Sequence, residues 1–207
     1  YKTTMNNYKN FKKSIDYLAS FLILIFLLPV FLIIIVYIII FIGRPIIFKQ
    51  KRPGLNGKPF EIYKFRTMIV NKELAKDTKN DFLRLNKYGK FLRSTSLDEL
   101  PSLINVLKGE MSFIGPRPLL MEYLNLYSEK QKKRHNVKPG ITGLAQISGR
   151  NKLTWEEKFN KDVYYVNNMN FFLDLKILFL TFFKVILRNG INSSERETCK
   201  PFTGNKN

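Results

Sequence analysis

Residues 17–42 read YLASFLILIFLLPVFLIIIVYIIIFI, a stretch from Tyr17 to Ile42 with no charged residue. As one helix rising 1.5 Å per residue it would be about 39 Å long, enough to cross a bilayer. Pro29 stands near its middle, where a proline removes a backbone hydrogen bond and clashes with the preceding turn. Lys2, Lys9, Lys12 and Lys13 precede the run, and Arg44, Lys49, Lys51 and Arg52 follow it. Basic flanks prefer the cytoplasmic side, and here both ends carry them. Two topologies satisfy the composition: a kinked single span, or a helix-break-helix that enters and leaves by one leaflet with its break at Pro29. The paired basic flanks favour the second. No small-residue cleavage site follows, so a removable signal segment is a poor fit. Asp16 at the head of the run is expected to complement a helix dipole. Gly43 and Pro45 are expected to end the second arm.

The whole chain has 207 residues with 35 Lys and Arg against 16 Asp and Glu, a formal net charge of +19. That surplus selects anionic partners, whether nucleic acid, acidic lipid headgroups or phosphorylated substrates, without choosing among them. The single cysteine, Cys199, excludes an internal disulfide, and the single histidine, His135, excludes a histidine-rich metal site. His135 beside Arg134 is expected to be a partly exposed structural residue.

Outward from the apolar run, residues 46–67 alternate apolar and polar around Gly54-Leu55-Asn56-Gly57, the pattern of a β-hairpin. It carries Lys49, Lys51, Arg52, Lys64 and Arg66. Residues 70–80 have no apolar face and read as a loop. Helices are expected over 81–93, over 98–108 with Gly109 closing it, over 121–136 and over 155–168. Residues 138–143 read as turn material, and 146–151 as a basic glycine-containing loop. Residues 171–188 are strongly apolar, with Asp174, Thr181, Lys184 and Arg188 on one face. Such a helix either lies in a membrane interface or is buried in a core. The tail from Asn189 is polar without periodicity. The fold class expected is therefore membrane-associated α/β: a re-entrant hairpin over 1–45, a catalytic domain over 46–188 with a small β-hairpin and several short helices, some of them amphipathic and interfacial, and a polar tail over 189–207.

Within RSTSLDELPSLINVL (93–107), Ser96-x-x-Glu99 fits a capping box and Asp98 suits a helix start. Pro101 fits that scheme badly if Ser96 is the cap, since it then falls beyond the free first turn. Asp98-Glu99 has a chemical reading as well. Adjacent carboxylates raise one another's pKa unless a metal or basic groups relieve them, and Arg93 is close in sequence. A carboxylate kept ionised by an arginine and a helix N-terminus serves as a nucleophile toward phosphorus or as a magnesium ligand. Arg117, braced between Pro116 and Pro118, presents a planar fork suited to phosphate oxygens. There is no Walker-type loop and no GxGxxG.

Four ordered blocks, KFRTM (64–68), LRSTSLDELPSLINVLKGEMSFIGPRPLL (92–120), KPGITGLAQISGRN (138–151) and DVYYV (162–166), closely resemble the bacterial sugar transferase family. These are the monotopic phosphoglycosyl transferases that start membrane-linked glycan assembly, and the likeness is greatest to their minimal members. The resemblance implies a two-step exchange. Asp98 attacks the β-phosphate of a UDP-sugar and releases UMP, and the bound sugar phosphate then passes to polyprenyl (undecaprenyl) phosphate. It implies a Mg2+ cofactor at Asp98 and Glu99, and phosphate contacts from Arg117 and Arg93, with Lys64, Arg66 and Arg150 as further candidates. It also implies a helix-break-helix at the cytoplasmic membrane with the catalytic domain on its cytoplasmic face. Many members have Ser-Pro at that break, where this chain has Leu28-Pro29. No nucleic-acid partner is expected. A basic, membrane-anchored nucleic-acid-binding or adaptor protein is the rival, which steeply salt-dependent RNA or DNA binding would reveal.

Overall fold

The computed structural model describes residues 2–70, 81–149, 152–187 and 201–204. The apolar run folds as two helices, α1 (Lys2–Phe26) and α2 (Leu28–Phe41), bent by 63° at their junction. Among the described residues no single helix is long and apolar enough to cross a membrane. The helical path breaks at Leu27, with φ −86° and ψ 1°, and Pro29 falls in the first turn of α2. There its missing N–H has no helical partner to lose. The interruption expected at Pro29 is thus present. Asp16 is not at a helix start, because α1 begins well before it. Its buried carboxylate instead accepts from Phe113 N at 3.3 Å.

Strands β1 (Ile47–Pro53) and β2 (Pro59–Phe65) form the expected antiparallel hairpin, in register from Ile47 opposite Phe65 to Pro53 opposite Pro59. A 3-10 turn at Leu55–Gly57 joins them, with Asn56 and Gly57 at positive φ. The helix expected over 81–93 is two helices, α3 (Asp81–Arg84) and α4 (Lys87–Ser94). Asn86 separates them: its Oδ1 caps α4 by accepting from Gly89 N, and its Nδ2 donates to Phe41 O at the end of α2. The helix expected over 98–108 is a 3-10 turn at Leu97–Glu99 followed by α5 (Ser102–Leu107). Gly109, at φ 77°, follows its end as expected.

The span 121–136 is likewise not one helix. It divides into a 3-10 turn (Met121–Leu126), α6 (Glu129–Lys132) with a Ser128–Gln131 capping box, and a second 3-10 turn (Lys133–Asn136). His135 is buried, not partly exposed, and burial with the neighbouring Arg134 charge pushes its pKa down to about 4. The segment 138–143, which reads as turn material, supplies β4 (Gly140–Thr142), which pairs in parallel with β3 (Ser112–Ile114) to form a second sheet. Helix α7 (Leu144–Ser148) follows. Helix α8 (Trp155–Asn168) has the expected bounds and starts at a Thr154–Glu157 capping box. Helix α9 covers Phe171–Ile186.

Helix α9 is neither fully buried nor free. Ile177 and Asp174 are buried. Asp174 takes Tyr8 OH and Lys12 Nζ of α1 on one oxygen, each at 2.6 Å, and Tyr165 OH of α8 on the other at 2.8 Å. One carboxylate therefore ties three helices. Phe202, in the described part of the tail, is also buried, among Tyr123, Tyr127, Trp155 and Phe159, with its ring centroid 5.0 Å from that of Phe159. Truncating such a ring leaves a cavity as well as losing transfer energy. Phe202→Ala is expected to cost about 3 kcal/mol of stability in denaturant unfolding. An unchanged midpoint would show that the tail does not pack there.

Candidate active site

Ser96 turns the chain into the site. It holds the left-handed conformation, φ 57° and ψ 15°, and its side chain caps nothing. The capping box expected from Ser96-x-x-Glu99 is therefore absent, since the serine cannot cap from that conformation and Glu99 is engaged elsewhere. Glu99 Oε1 receives Lys64 Nζ at 2.6 Å and Arg117 Nη2 at 3.0 Å. Asp98, on the same turn, is 9 % exposed and takes part in neither ion pair.

Each cation reaches Glu99 because of a specific piece of packing. Lys64 belongs to β2, and α5 grips that strand through its side chains. Asn105 accepts from Tyr63 N at 3.0 Å and donates to Glu61 O at 2.7 Å, and Ser102 donates to Tyr63 O at 2.9 Å. Two buried polar residues thus satisfy the open edge of β2, as a further strand would. They also fix the turn before α5 relative to Lys64. Arg117 follows β3, where the chain passes within backbone contact of β4. Gly115 N donates to Thr142 O and Gly140 N to Pro116 O. A Cβ on Gly115 would lie 2.4 Å from Lys138 O, so only glycine allows this approach. The Arg117 carbonyl then accepts from Arg134 Nη2 at 2.8 Å. Arg134 is buried and is held by Asp162 Oδ2, at 3.1 Å from Nε and 2.7 Å from Nη2, and by Tyr127 OH at 3.2 Å.

The electrostatics divide the two carboxylates. Burial, and then the Glu99 charge, push Asp98 up to about 6, against the lowering effect of Lys64, Arg93 and Arg117. Burial also acts on Glu99, but the Lys64 and Arg117 charges and hydrogen bonds outweigh it and hold Glu99 well below the usual carboxylate range. Glu99, more than Asp98, is therefore the carboxylate that the cations hold in its ionised form. Among the described residues no ion pair engages the Asp98 oxygens.

Of the other expected residues, Arg93 lies close enough to act on Asp98 and donates from Nε to Thr67 Oγ1 at 3.0 Å. Arg66 turns elsewhere: its Nε donates to Pro45 O at 2.7 Å, and Arg84 is its charged neighbour. Arg150 lies outside the described residues. Pro29 shapes the helix break and takes no part in this cluster. Ser102, Asn105, Arg134 and Asp162 escaped the sequence. Their roles need long-range partners that no spacing displays, although Asp162 opens the DVYYV block.

Among the described residues no group of three or more His, Cys, Asp or Glu side chains gathers as a metal cage. Asp98 and Glu99 nevertheless offer the donor set magnesium takes, one or two carboxylates completed by substrate phosphate oxygens. They lack the nitrogen and sulfur ligands of a structural zinc site.

The profile of the family described as bacterial sugar transferase matches residues 7–188. The chain belongs to the bacterial sugar transferase family. Among similar relatives, the uncharacterized sugar transferase EpsL of Bacillus subtilis (strain 168) is 58% identical over 163 residues, 79% of this chain and 81% of that protein. The UDP-glucose:undecaprenyl-phosphate glucose-1-phosphate transferase of Klebsiella pneumoniae is 46% identical over 185 residues, 84% of this chain and 40% of that protein. The undecaprenyl-phosphate galactose phosphotransferase of Salmonella typhimurium (strain LT2) is 39% identical over 197 residues, 86% of this chain and 41% of that protein. The sugar transferase chain thus spans most of EpsL and about two fifths of the two longer relatives.

In this sugar transferase the geometry separates two basic residues that are two positions apart. Lys64→Met leaves Glu99 with Arg117 alone and should lower kcat on the order of a hundredfold. Arg66→Met removes a contact to a main-chain oxygen outside the cluster and should cost less than about tenfold. Equal losses in steady-state turnover would contradict the assignment of Lys64.

Proposed function

We propose that the chain transfers a sugar 1-phosphate from a UDP-sugar to polyprenyl (undecaprenyl) phosphate, through a covalent phosphosugar ester on Asp98, at the cytoplasmic face of the bacterial cytoplasmic membrane. The observation that carries this reading is the asymmetric dyad: Glu99 is held ionised by Lys64 and Arg117, and Asp98 is buried beside it outside those ion pairs. In the first step an Asp98 carboxylate oxygen attacks the β-phosphorus of the donor. The bond from that phosphorus to the bridging oxygen breaks, and UMP leaves with the electron pair. In the second step an oxygen of the polyprenyl phosphate attacks the same phosphorus. The phosphorus–Asp98 bond breaks, which restores the carboxylate and releases a polyprenyl diphosphate sugar. Splitting the transfer lets a water-soluble donor and a lipid acceptor use one nucleophile in turn.

Arg117 and Lys64 neutralise Glu99 and leave positive charge beside the phosphorus, where anionic oxygens accumulate. Magnesium held by Asp98 and Glu99 with diphosphate oxygens would neutralise the donor and the leaving phosphate. The names of the Klebsiella and Salmonella relatives, which specify undecaprenyl phosphate with glucose or galactose, support the acceptor and the class of group transferred.

Membrane contact is supported by the apolar side chains that the fold leaves uncovered. Phe26 is 82 % exposed at the break, Ile33 69 % on α2 and Phe172 79 % on α9, and many neighbours of each are exposed with them. An apolar surface of that extent suits lipid. The 63° bend supports re-entry because the 14 residues of α2 span only about 21 Å, short of the hydrocarbon core.

A screen of UDP-sugars with magnesium and polyprenyl phosphate should find one from which the wild type releases UMP, and Asp98→Asn should lose at least about a thousandfold of that rate. Full turnover in Asp98→Asn would disprove the covalent step.

A further inference from the structure

Several buried or half-buried cations have a carboxylate partner: Lys12 has Asp174, Lys64 has Glu99 and Arg134 has Asp162. Arg52, near the end of β1, has none among the described residues. It is half-buried, and its hydrogen-bond partner among the described residues is a neutral amide, Gln50 Oε1, at 2.6 Å from Nη2. Strand β1 lies against the 3-10 turn at Met121–Leu126, which holds Tyr123; Tyr127 follows that turn, and Arg134 joins its hydroxyl to the Arg117 carbonyl, so the Arg117 charge acts on Arg52. Burial, then the like charge of Arg117, lower its pKa to about 10, against the two phenols. A guanidinium kept from water beside a second one is costly unless an anion joins them. Arg117 spends Nη2 on Glu99 and has further donors in its fork.

The proposed reaction locates that anion. In an in-line displacement the leaving group departs opposite the nucleophile. Asp98 attacks first and is displaced second, so the departing UMP phosphate and the entering polyprenyl phosphate both stand on the side of phosphorus away from Asp98. We infer that Arg52, paired with Arg117, forms a phosphomonoester site that the phosphate of UMP and the phosphate of the polyprenyl acceptor occupy in turn. This rests on the function proposed above. It adds a substrate-binding residue that the motif blocks do not contain, and it makes the two substrates competitors for one pair of guanidinium groups.

The test uses the full chain in detergent or lipid discs, with Arg52→Gln and Arg52→Lys. Losing one charged contact to phosphate weakens binding on the order of ten- to a hundredfold. Arg52→Gln should therefore raise the Kd for UMP, measured by calorimetry, and the KM for both UDP-sugar and polyprenyl phosphate, each by that order. Arg52→Lys should lie between Arg52→Gln and wild type, since it keeps the charge but loses the fork. Thermal unfolding separates binding from scaffold. Removing a half-buried charge that has no carboxylate partner among the described residues should leave the Tm of Arg52→Gln at or above that of wild type, whereas a structural arginine would lower it. Unchanged UMP affinity, a raised KM for only one of the two substrates, or weaker binding accompanied by a fallen Tm would each overturn the inference. The underlying reaction is read in the wild type alone. No UMP release from any UDP-sugar overturns the proposed function and this inference with it, while normal wild-type release with unaltered UMP affinity in Arg52→Gln overturns only the inference.

Discussion

Glu99, clamped between Lys64 and Arg117, is the interaction around which the site is built. The three residues come from separate parts of the chain: the second strand of the hairpin, the turn before α5 and the segment after β3. A carboxylate with two cations within 3.0 Å has its charge and its direction fixed. Its neighbour Asp98 consequently sits next to a permanent negative charge, with positive charge one residue further away. Burial, and then that negative charge, raise the Asp98 pKa, while Lys64, Arg93 and Arg117 oppose the rise, a balance that suits the proposed nucleophile.

The clamp works only if its three sources are rigidly related, and the fold uses a different device for each. Asn105 and Ser102 treat the edge of β2 as a further strand would, so the turn carrying Glu99 cannot slide along the hairpin that carries Lys64. The glycine crossing of β3 and β4 sets the backbone just before Arg117, and the buried Arg134–Asp162 pair fixes the carbonyl of Arg117 itself. Breaking such a buried pair leaves an uncompensated charge and is expected to be far more costly than losing a surface ion pair. Asp174 does the corresponding work at the apolar end, where it joins α1 to α8 and α9.

The local patterns with their own boundary signals were legible in the sequence. The hairpin over 46–67, the interruption at Pro29 and the helix over 155–168 are all present, because alternation, proline and a Thr-x-x-Glu cap act within a few residues. What escaped depends on distant partners. Asn86 splits a periodic segment because it caps one helix and bonds to the end of another. Ser96 forgoes the capping box because Glu99 is claimed by Lys64 and Arg117 across the fold. The parallel β3–β4 pair escaped because a three-residue strand has no room for alternation, and β4 lies in residues that look like a turn. Of the site, Asp98, Glu99, Lys64, Arg93 and Arg117 were recognisable from their motif blocks and converge, whereas Arg134 and Arg52 had only their charge to mark them, and Asp162 stood in a block that gave no sign of its partner.

The exposed apolar faces of α1, α2 and α9 and the carboxylate dyad with its basic residues belong to one chain, which suits a reaction between a soluble anion and a lipid-borne one. The proposed transfer requires Asp98 to carry the sugar phosphate between the two. The most direct measurement incubates the protein with a UDP-sugar labelled in its β-phosphate, without acceptor, and maps the labelled peptide by mass spectrometry. The account predicts one equivalent of UMP released and the label on the peptide containing Asp98, discharged when polyprenyl phosphate is added. UMP release that never occurs without acceptor, or label on a peptide lacking Asp98, would contradict it.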